Sequence, residues 1–435
     1  MNLARQIEQY LPQQLLELVK DINGQAAKRG QRVYLVGGVV RDLLLGDPSL
    51  RSGLRFDLDL VVEGDAVKLA QQVAETSQAK LLTHHRFGTA KLRYENFTLD
   101  LATARKETYA KPGALPTVTP GILKDDLVRR DFSINAMAIS LASNDYGELV
   151  DPYQGKSDLE RRLIRILHPG SFSDDATRIL RAVRYEQRLG FDLEAQTAQL
   201  LKRDIPMLDT ISGDRIRHEL ELIFKETQPE FVVKRLAELG VLQRISPLLK
   251  GDGWIVEKFD KARRLKKPTQ LLSLYFCLLI YSFSETGIEQ FLARLNIPAK
   301  LSRTMCDTLR LKTKLPILDK SFLKPSEIYY LLREYEPAAI QANAIASDEK
   351  EGTPSSIVHR HLQLFLTKLR YVRTSLNGEE LKRLGISAGP EMGKVLQTLH
   401  KAKLDGEVRT RADEKKLALS LKALDFHTGP EPSRE

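Results

Sequence analysis

Strand-forming sequence is confined to the first third of this 435-residue chain. From Gln31 to about Pro152, short β-favouring runs at Val33–Val36, Leu58–Val62, Ala90–Tyr94 and Thr98–Leu101 are separated by helical stretches such as Ala66–Ser77. From Ser157 onward the strand signals nearly vanish, and apolar residues recur at helical spacing, as in Leu220–Phe224, Phe231–Leu239 and Ile328–Leu332. The asymmetry predicts a mixed α/β and α chain, with an N-terminal α/β head followed by an extended all-helical remainder. The length also exceeds one ordinary domain. Breakers at Ile205-Pro206, Ser246-Pro247, Ile297-Pro298, Lys324-Pro325 and the polar stretch Ser347–Ser356 divide the remainder. The expected segments are an N-terminal helix over 1–30, a head over 31–155, a neck over 156–224, a body over 225–370 and a tail over 371–435, with His427–Glu435 frayed.

Several classes are disfavoured. The N-terminal helix carries Ile7, Leu11, Leu15, Leu18 and Ile22 on a polar background and lacks the apolar core of a signal peptide. The longest apolar run, Leu271–Phe283, is 13 residues, against the ~20 that a membrane helix needs. It reads as a buried helix. Cys277 and Cys306 form no CxxC pair, so a reducing cytoplasm is expected and neither a disulfide framework nor a cysteine zinc site is supported. Lys and Arg number 67 against 57 Asp and Glu, a formal charge of +10, which favours a polyanionic partner.

Three segments carry the chemistry. Val33–Val36 runs into Gly37-Gly38 and then Val39 to Gly46, a strand, a glycine pair and a helix start. Glycines there let the backbone approach a ligand, and free N–H groups at a helix start suit a phosphate, with Arg41 adding a cation. Alone, the pair serves equally as a tight turn. Phe56-Asp57-Leu58-Asp59-Leu60 follows. On a strand Asp57 and Asp59 project together while Leu58 and Leu60 enter the core, and two adjacent carboxylates are relieved by a divalent cation. A solvated strand face would look the same. Together, a phosphate cradle and a paired-Asp strand are the layout that metal-dependent phosphoryl chemistry requires. Asp100, in Phe97–Ala102, is a candidate third carboxylate from a neighbouring strand or a structural residue at a strand end.

The arginines form the second constellation. Arg129-Arg130 can hold triphosphate oxygens bidentately, or can form surface pairs with Asp125, Asp126 and Asp131. In Phe172–Tyr185, Arg178, Arg181 and Arg184 fan across one helix face, opposite Ile179 and Val183, and Asp174-Asp175 are expected to begin that helix. An Asp and an Arg three residues apart also suit a base edge. Cytosine and adenine present an amino donor beside a ring-nitrogen acceptor, whereas uracil and guanine place a carbonyl where the amino would be. Such a pair could select bases without a template.

These elements together resemble the class II tRNA nucleotidyltransferases and the related bacterial poly(A) polymerases of the polymerase beta superfamily. The resemblance runs from Val33 to about Phe224 through LVGGVVRDLLLG, DLDLV, HRFGTA, LDLATARKETY, DLVRRDFSINAMA, DPYQGKSDLERRLIR and SDDATRILRAVRYEQRLGF. It implies that Asp57 and Asp59 bind catalytic Mg²⁺ and that Gly38 and Arg41 contact the incoming nucleotide. It also implies that Arg130, Arg181 and Arg184 meet triphosphate or ribose, and that Asp175 and Arg178 pair with the base. The family usually has Glu-Asp where this chain has Asp174-Asp175. Leu381–Ile386, Gly389-Pro390, Gly393–Leu396 and Asp405–Val408 look like the family's tail, implying contact with the tRNA elbow, with Lys394, Lys401 and Lys403 available for phosphates.

The implied partners are tRNA, CTP and ATP, and the implied reaction is in-line attack of the tRNA 3′-hydroxyl on the α-phosphorus, with neither His84 nor His85 needed as base. Ala102–Asp126 resembles the loop that family members need for the final A, which leans toward full CCA addition. The alternatives are CC-only, A-only or poly(A) synthesis, or a non-catalytic RNA-binding module on the same fold. Retention of both Asp57 and Asp59 argues against the last.

Overall fold

The computed structural model describes residues 1–46, 56–77, 79–108, 117–265, 270–348 and 356–425. The chain forms two compact units, Met1–Pro247 and Leu248–Glu435. Residues 225–247, expected with the body, belong to the first.

Nine strands organise the front of that first unit: β1 (Arg32–Val36), β2 (Phe56–Glu63), β3 (Lys80–His84), β4 (Thr89–Arg93), β5 (Phe97–Thr103), β6 (Arg105–Thr108), β7 (Thr117–Pro120), β8 (Ala138–Ser140) and β9 (Leu149–Val150). Seven make one mixed sheet in the order β3-β4-β5-β2-β1-β8-β9, and β6 and β7 form a separate hairpin. Only β2 and β5 pair in parallel in the large sheet. Strand β1, with Val33 to Val36 all buried, reads as a central strand because both its faces are covered. Strand β2 alternates, Leu58 and Leu60 being 1% exposed between the open Asp57 and Asp59. The Ala66–Ser77 helix covers β4 and β5 with Val67, Leu69, Ala70 and Val73.

The expected single N-terminal helix is two, Ala4–Tyr10 and Gln13–Lys28. Pro12 crowds the residue before it out of the helical region, and Leu11 is extended at ψ 139°. Behind the sheet, the Thr177–Leu189 helix packs on Gly213–Ile223 and Pro229–Glu238. The acidic pair does not begin it. Asp174 ends a separate one-turn helix, Ser171–Asp174, Asp175 is extended at φ −143°, and the long helix starts two residues later.

Every regular element among the described residues of the second unit is a helix. The apolar run is the Leu271–Leu279 helix, with Leu274 to Ile280 buried. Separate cores lie around Leu332, Ile340, Leu362 and Phe365, and around Leu381, Ile386 and Leu399. Lys403 is engaged with Glu414 at 2.6 Å and Ser375 at 2.8 Å, tying the tail to itself. No helix among the described residues is long and apolar enough to cross a membrane. Cys277 and Cys306 are free, the first buried. Residues 109–116 of the loop resemblance and the stretch His427–Glu435 lie outside the described residues.

Candidate active site

Register aligns the carboxylates before any side chain is considered. Val36, the end of β1, is opposite Asp59, and Asp59 is opposite Asp100 across the parallel β2–β5 pair. The chain then turns through Gly37 at φ +77°, a conformation that favours glycine. A Cβ there would stand 3.2 Å from Arg130 Nη1 and 3.4 Å from Asp59 Oδ2. The turn therefore brings a cation and a carboxylate against bare backbone. Gly38 begins the Gly38–Leu45 helix, and a Cβ on it would make an ordinary 3.4 Å contact with Arg41.

A cleft of about 460 Å³ opens at this turn. Gly37, Gly38, Asp59, Arg130, Asp175, Arg178 and Arg181 line it among the expected residues. Asp57, Asp100, Arg41 and Arg184 do not reach its wall. Asp100 pairs with Lys91 at 2.9 Å. Arg41 is 4% exposed, donates to Asn135 Oδ1 and Asp42 Oδ1 at 2.8 Å each, and stands behind the glycine turn. Arg184 is turned toward Glu226 at 3.2 Å and Glu219 at 3.6 Å. The arginine helix is thus no solvated stripe, since Arg178 and Arg184 are 4% and 6% exposed.

Desolvation pushes the Asp59 carboxyl above the usual carboxylate range. Arg130 offsets that push, and repulsion from Asp100 and Asp57 adds to it. A carboxylate disfavoured by its own neighbours suits a bound cation, which would remove the repulsion. No three His, Cys, Asp or Glu side chains among the described residues form a ready cage. Asp57 and Asp59 nevertheless fit an ion of the Mg²⁺ kind, which takes one or two carboxylates and completes its shell with phosphates and water.

The remaining wall is cationic but internally neutralised. Arg129 and Arg130 both reach Asp126, which is fully buried, at 2.5 and 2.9 Å. Arg181 donates to Asp131 Oδ2 from Nη2 at 2.6 Å and from Nε at 3.0 Å. Against the cost of burial, that contact with Asp131 holds Arg181 firmly protonated, and Arg181 with Asn135 holds the Asp131 carboxyl below its usual range. Nε of Arg105, Arg130 and Arg184 are buried without an acceptor among the described residues.

Asp175 and Arg178 face the same space. Asp175 Oδ1 accepts from the Thr177 N–H at 2.9 Å and hydroxyl at 2.6 Å, and meets Arg215 Nη2 at 2.7 Å. Among the described residues these three contacts all fall on Oδ1, so Oδ2 is the oxygen a ligand would meet. Arg178 Nη1 donates to Ser171 Oγ at 2.7 Å, and Nη2 to the Arg129 carbonyl at 2.5 Å. These contacts fix the guanidinium plane between neck and head.

The lining also includes Arg105, Glu107, Tyr185, Arg215 and Glu219, which sequence reasoning did not single out. Arg105 and Glu107 alternate on one face of β6 within the ATARKETY run, a signal present in the sequence. Arg215 and Glu219 stand four apart on the Gly213–Ile223 helix, a pair visible at helical spacing.

Comparison with known proteins places the chain in a family. Residues 33–165 match the poly A polymerase head domain family, and residues 190–252 match a family described as the probable RNA and SrmB- binding site of polymerase A. An A-adding tRNA nucleotidyltransferase of Halalkalibacterium halodurans is 34% identical over 95% of this chain and 94% of its own length. Another, from Geobacter sulfurreducens, is 34% identical over 95% of this chain, which spans only 48% of that relative. A solved structure of the Thermotoga maritima CCA-adding enzyme complexed with tRNA superposes with a TM-score of 0.74 at 29% identity, covering 97% of this chain and 98% of that one.

Proposed function

The chain belongs to the family of class II tRNA nucleotidyltransferases and poly(A) polymerases, and from that membership we propose that it adds nucleotides to the 3′ end of tRNA without a nucleic-acid template. The observation that carries the proposal is the convergence of Asp59, the Gly37 turn, Arg130, Arg181, Asp175 and Arg178 on one cleft. Arg130 and Arg181 line the part that suits a triphosphate. The open Oδ2 of Asp175 accepts from the amino group of C or A, while Arg178 donates to the adjacent ring nitrogen. The tRNA 3′-hydroxyl oxygen gives up its proton to water as it bonds to the α-phosphorus of CTP or ATP, the bond from that phosphorus to the oxygen bridging to the β-phosphate breaks, and pyrophosphate leaves with that oxygen. Asp57 and Asp59 would hold Mg²⁺, which when bound neutralises charge at the attacking and departing oxygens. Asp100, held by Lys91, would shape the electrostatics beside them.

Two readings of the nucleotide set each have support. Full CCA addition is supported by the loop resemblance and by structural likeness to a CCA-adding enzyme. Addition of the terminal A alone is favoured by two A-adding relatives aligned along 95% of this chain. Incubating tRNA that lacks A, CA or CCA with CTP and ATP, singly and together, distinguishes them by product length. CCA addition restores all three substrates. A-only addition extends only the tRNA ending in CC, and a ladder of A residues would indicate poly(A) synthesis. No extension of any primer would remove the enzyme reading.

Affinity for tRNA is expected to fall with salt, because the +10 balance implies several phosphate contacts. The logarithm of the binding constant should fall by roughly 0.7 to 0.9 per contact for each tenfold rise in salt. A filter-binding titration whose midpoint stayed constant between low and high salt would remove the electrostatic part of the proposal.

A further inference from the structure

Three guanidinium groups converge on one aromatic ring at the inner end of the cleft. The Cζ atoms of Arg41, Arg181 and Arg184 lie 5.3, 5.7 and 5.2 Å from the centre of the Tyr185 ring. Phe132 meets that ring edge-on at 5.8 Å and fixes its plane. Tyr185 and Arg181 line the cleft, whereas Arg41 and Arg184 stand behind it. Like charges so grouped repel unless something of opposite polarity lies among them. Carboxylates supply part of this at the periphery: Asp42 for Arg41, Asp131 and Glu219 for Arg181, Glu219 and Glu226 for Arg184. The electron-rich face of Tyr185 is the neutralising surface the three share.

We propose that Tyr185 is a positioning residue for nucleotide binding, whose ring holds Arg181 at the cleft wall and couples Arg41 and Arg184 to it. The proposal rests on the nucleotidyltransferase function and deepens it. The two arginines that the family resemblance assigns to the nucleotide but that do not reach the cleft act through this ring. Arg181 is held from one side by Asp131, and an arriving triphosphate competes for the same guanidinium. With the ring on its other flank, Arg181 can share its donors with phosphate without swinging away.

Steady-state kinetics with CTP and ATP on a primer tRNA, equilibrium ATP binding without tRNA, and melting curves on the full chain test the role in wild type, Tyr185→Phe, Tyr185→Leu and Tyr185→Met. Phenylalanine keeps the ring and should stay within about twofold of wild type, while leucine and methionine should raise the nucleotide KM and dissociation constant about tenfold. Their kcat should hold within about threefold, and the preference among the four nucleotides should not change, because Asp175 and Arg178 are untouched. Methionine fills similar volume without a π face, so it carries the test if the leucine variant does not fold. A wild-type KM in both aliphatic variants, or a phenylalanine variant as impaired as they are, would overturn the role of the ring. A wild-type chain that extends no primer would overturn the function beneath it, an outcome distinct from active wild type with indifferent variants.

Discussion

Alanine at Asp57 or Asp59 is expected to remove nucleotide addition while leaving tRNA binding and stability in place. The loss should be at least about a thousandfold in kcat/KM, since ion placement supplies several kcal/mol of transition-state stabilisation. Both residues keep exposed surface, although protein surrounds the Asp59 carboxyl closely enough to desolvate it, and the apolar Leu58 and Leu60 that seat the strand are untouched. The sign of the Asp59 shift gives a further check. Its carboxyl lies above the usual range because the folded state disfavours the charge, first through desolvation and then, despite Arg130, through Asp100 and Asp57. A raised acid penalises folding once the pH exceeds its unfolded value, and at neutral pH alanine removes that penalty. Melting should therefore be unchanged or slightly improved, with binding of tRNA in a filter assay near wild type. Primer extension at near-normal rate by either variant, with Mg²⁺ present, would sink the metal assignment.

What the sequence made legible follows a physical rule. Elements whose pattern is set by their own residues were readable: the alternation of β2, the buried run of β1, and the Ala66–Ser77 helix, whose observed bounds match those read from periodicity. Strand β3 was not, because Leu82 is 46% exposed and no residue of the strand is buried, so no apolar stripe marks it. The break at Leu11-Pro12 had a signal, the proline, which the apolar spacing on either side overrode. The start of the arginine helix was misplaced for a subtler reason. Two consecutive acids look like dipole-compensating residues, yet Asp174 closes a preceding turn and meets His168 at 3.6 Å.

The cleft was half legible in the same sense. Residue types and spacing named the carboxylates, the glycines and the arginines, but not which of them would face one another. Arg41 meets Asn135 across 94 residues, Arg181 meets Asp131 across 50, Arg178 meets the Arg129 carbonyl across 49 and Arg184 meets Glu226 across 42. Those pairings decide that Arg41 and Arg184 stand behind the wall and Arg178 and Arg181 in it. A single sequence carries no trace of them, because a guanidinium can be satisfied by any carboxylate that packing brings near.

The second large effect concerns base choice, and the geometry makes asparagine at Asp175 more telling than alanine. In the native side chain Oδ1 accepts from the Thr177 N–H and hydroxyl, and Oδ2 is the oxygen proposed to meet the base. Alanine would remove both functions at once, at about 1 kcal/mol of stability for the lost hydrogen bonds to Thr177, so a weaker enzyme could be read either way. Asparagine can keep its carbonyl oxygen on Thr177 and turn its amide nitrogen toward the cleft. It weakens the contact with Arg215, a partly exposed pair that contributes about 0–1 kcal/mol. The acceptor for the amino group of C or A then becomes a donor, which clashes with that amino group and welcomes the carbonyl of U or G. Arg178 is unchanged and still donates toward the ring nitrogen, which in U and G carries a hydrogen, so the new preference is repaired on one side only. Selectivity for C and A over U and G should therefore collapse by about tenfold or more, the worth of a charge-assisted hydrogen bond of about 1.5–3 kcal/mol, without inverting cleanly. Relative kcat/KM for the four nucleotides on one primer tRNA, measured for Asp175→Asn and Asp175→Ala beside melting curves, gives the answer. Unaltered nucleotide ratios in both, with a lowered melting point in the alanine variant alone, would leave Asp175 as the residue that seats the Thr177–Leu189 helix and the reading of the base edge to some other group.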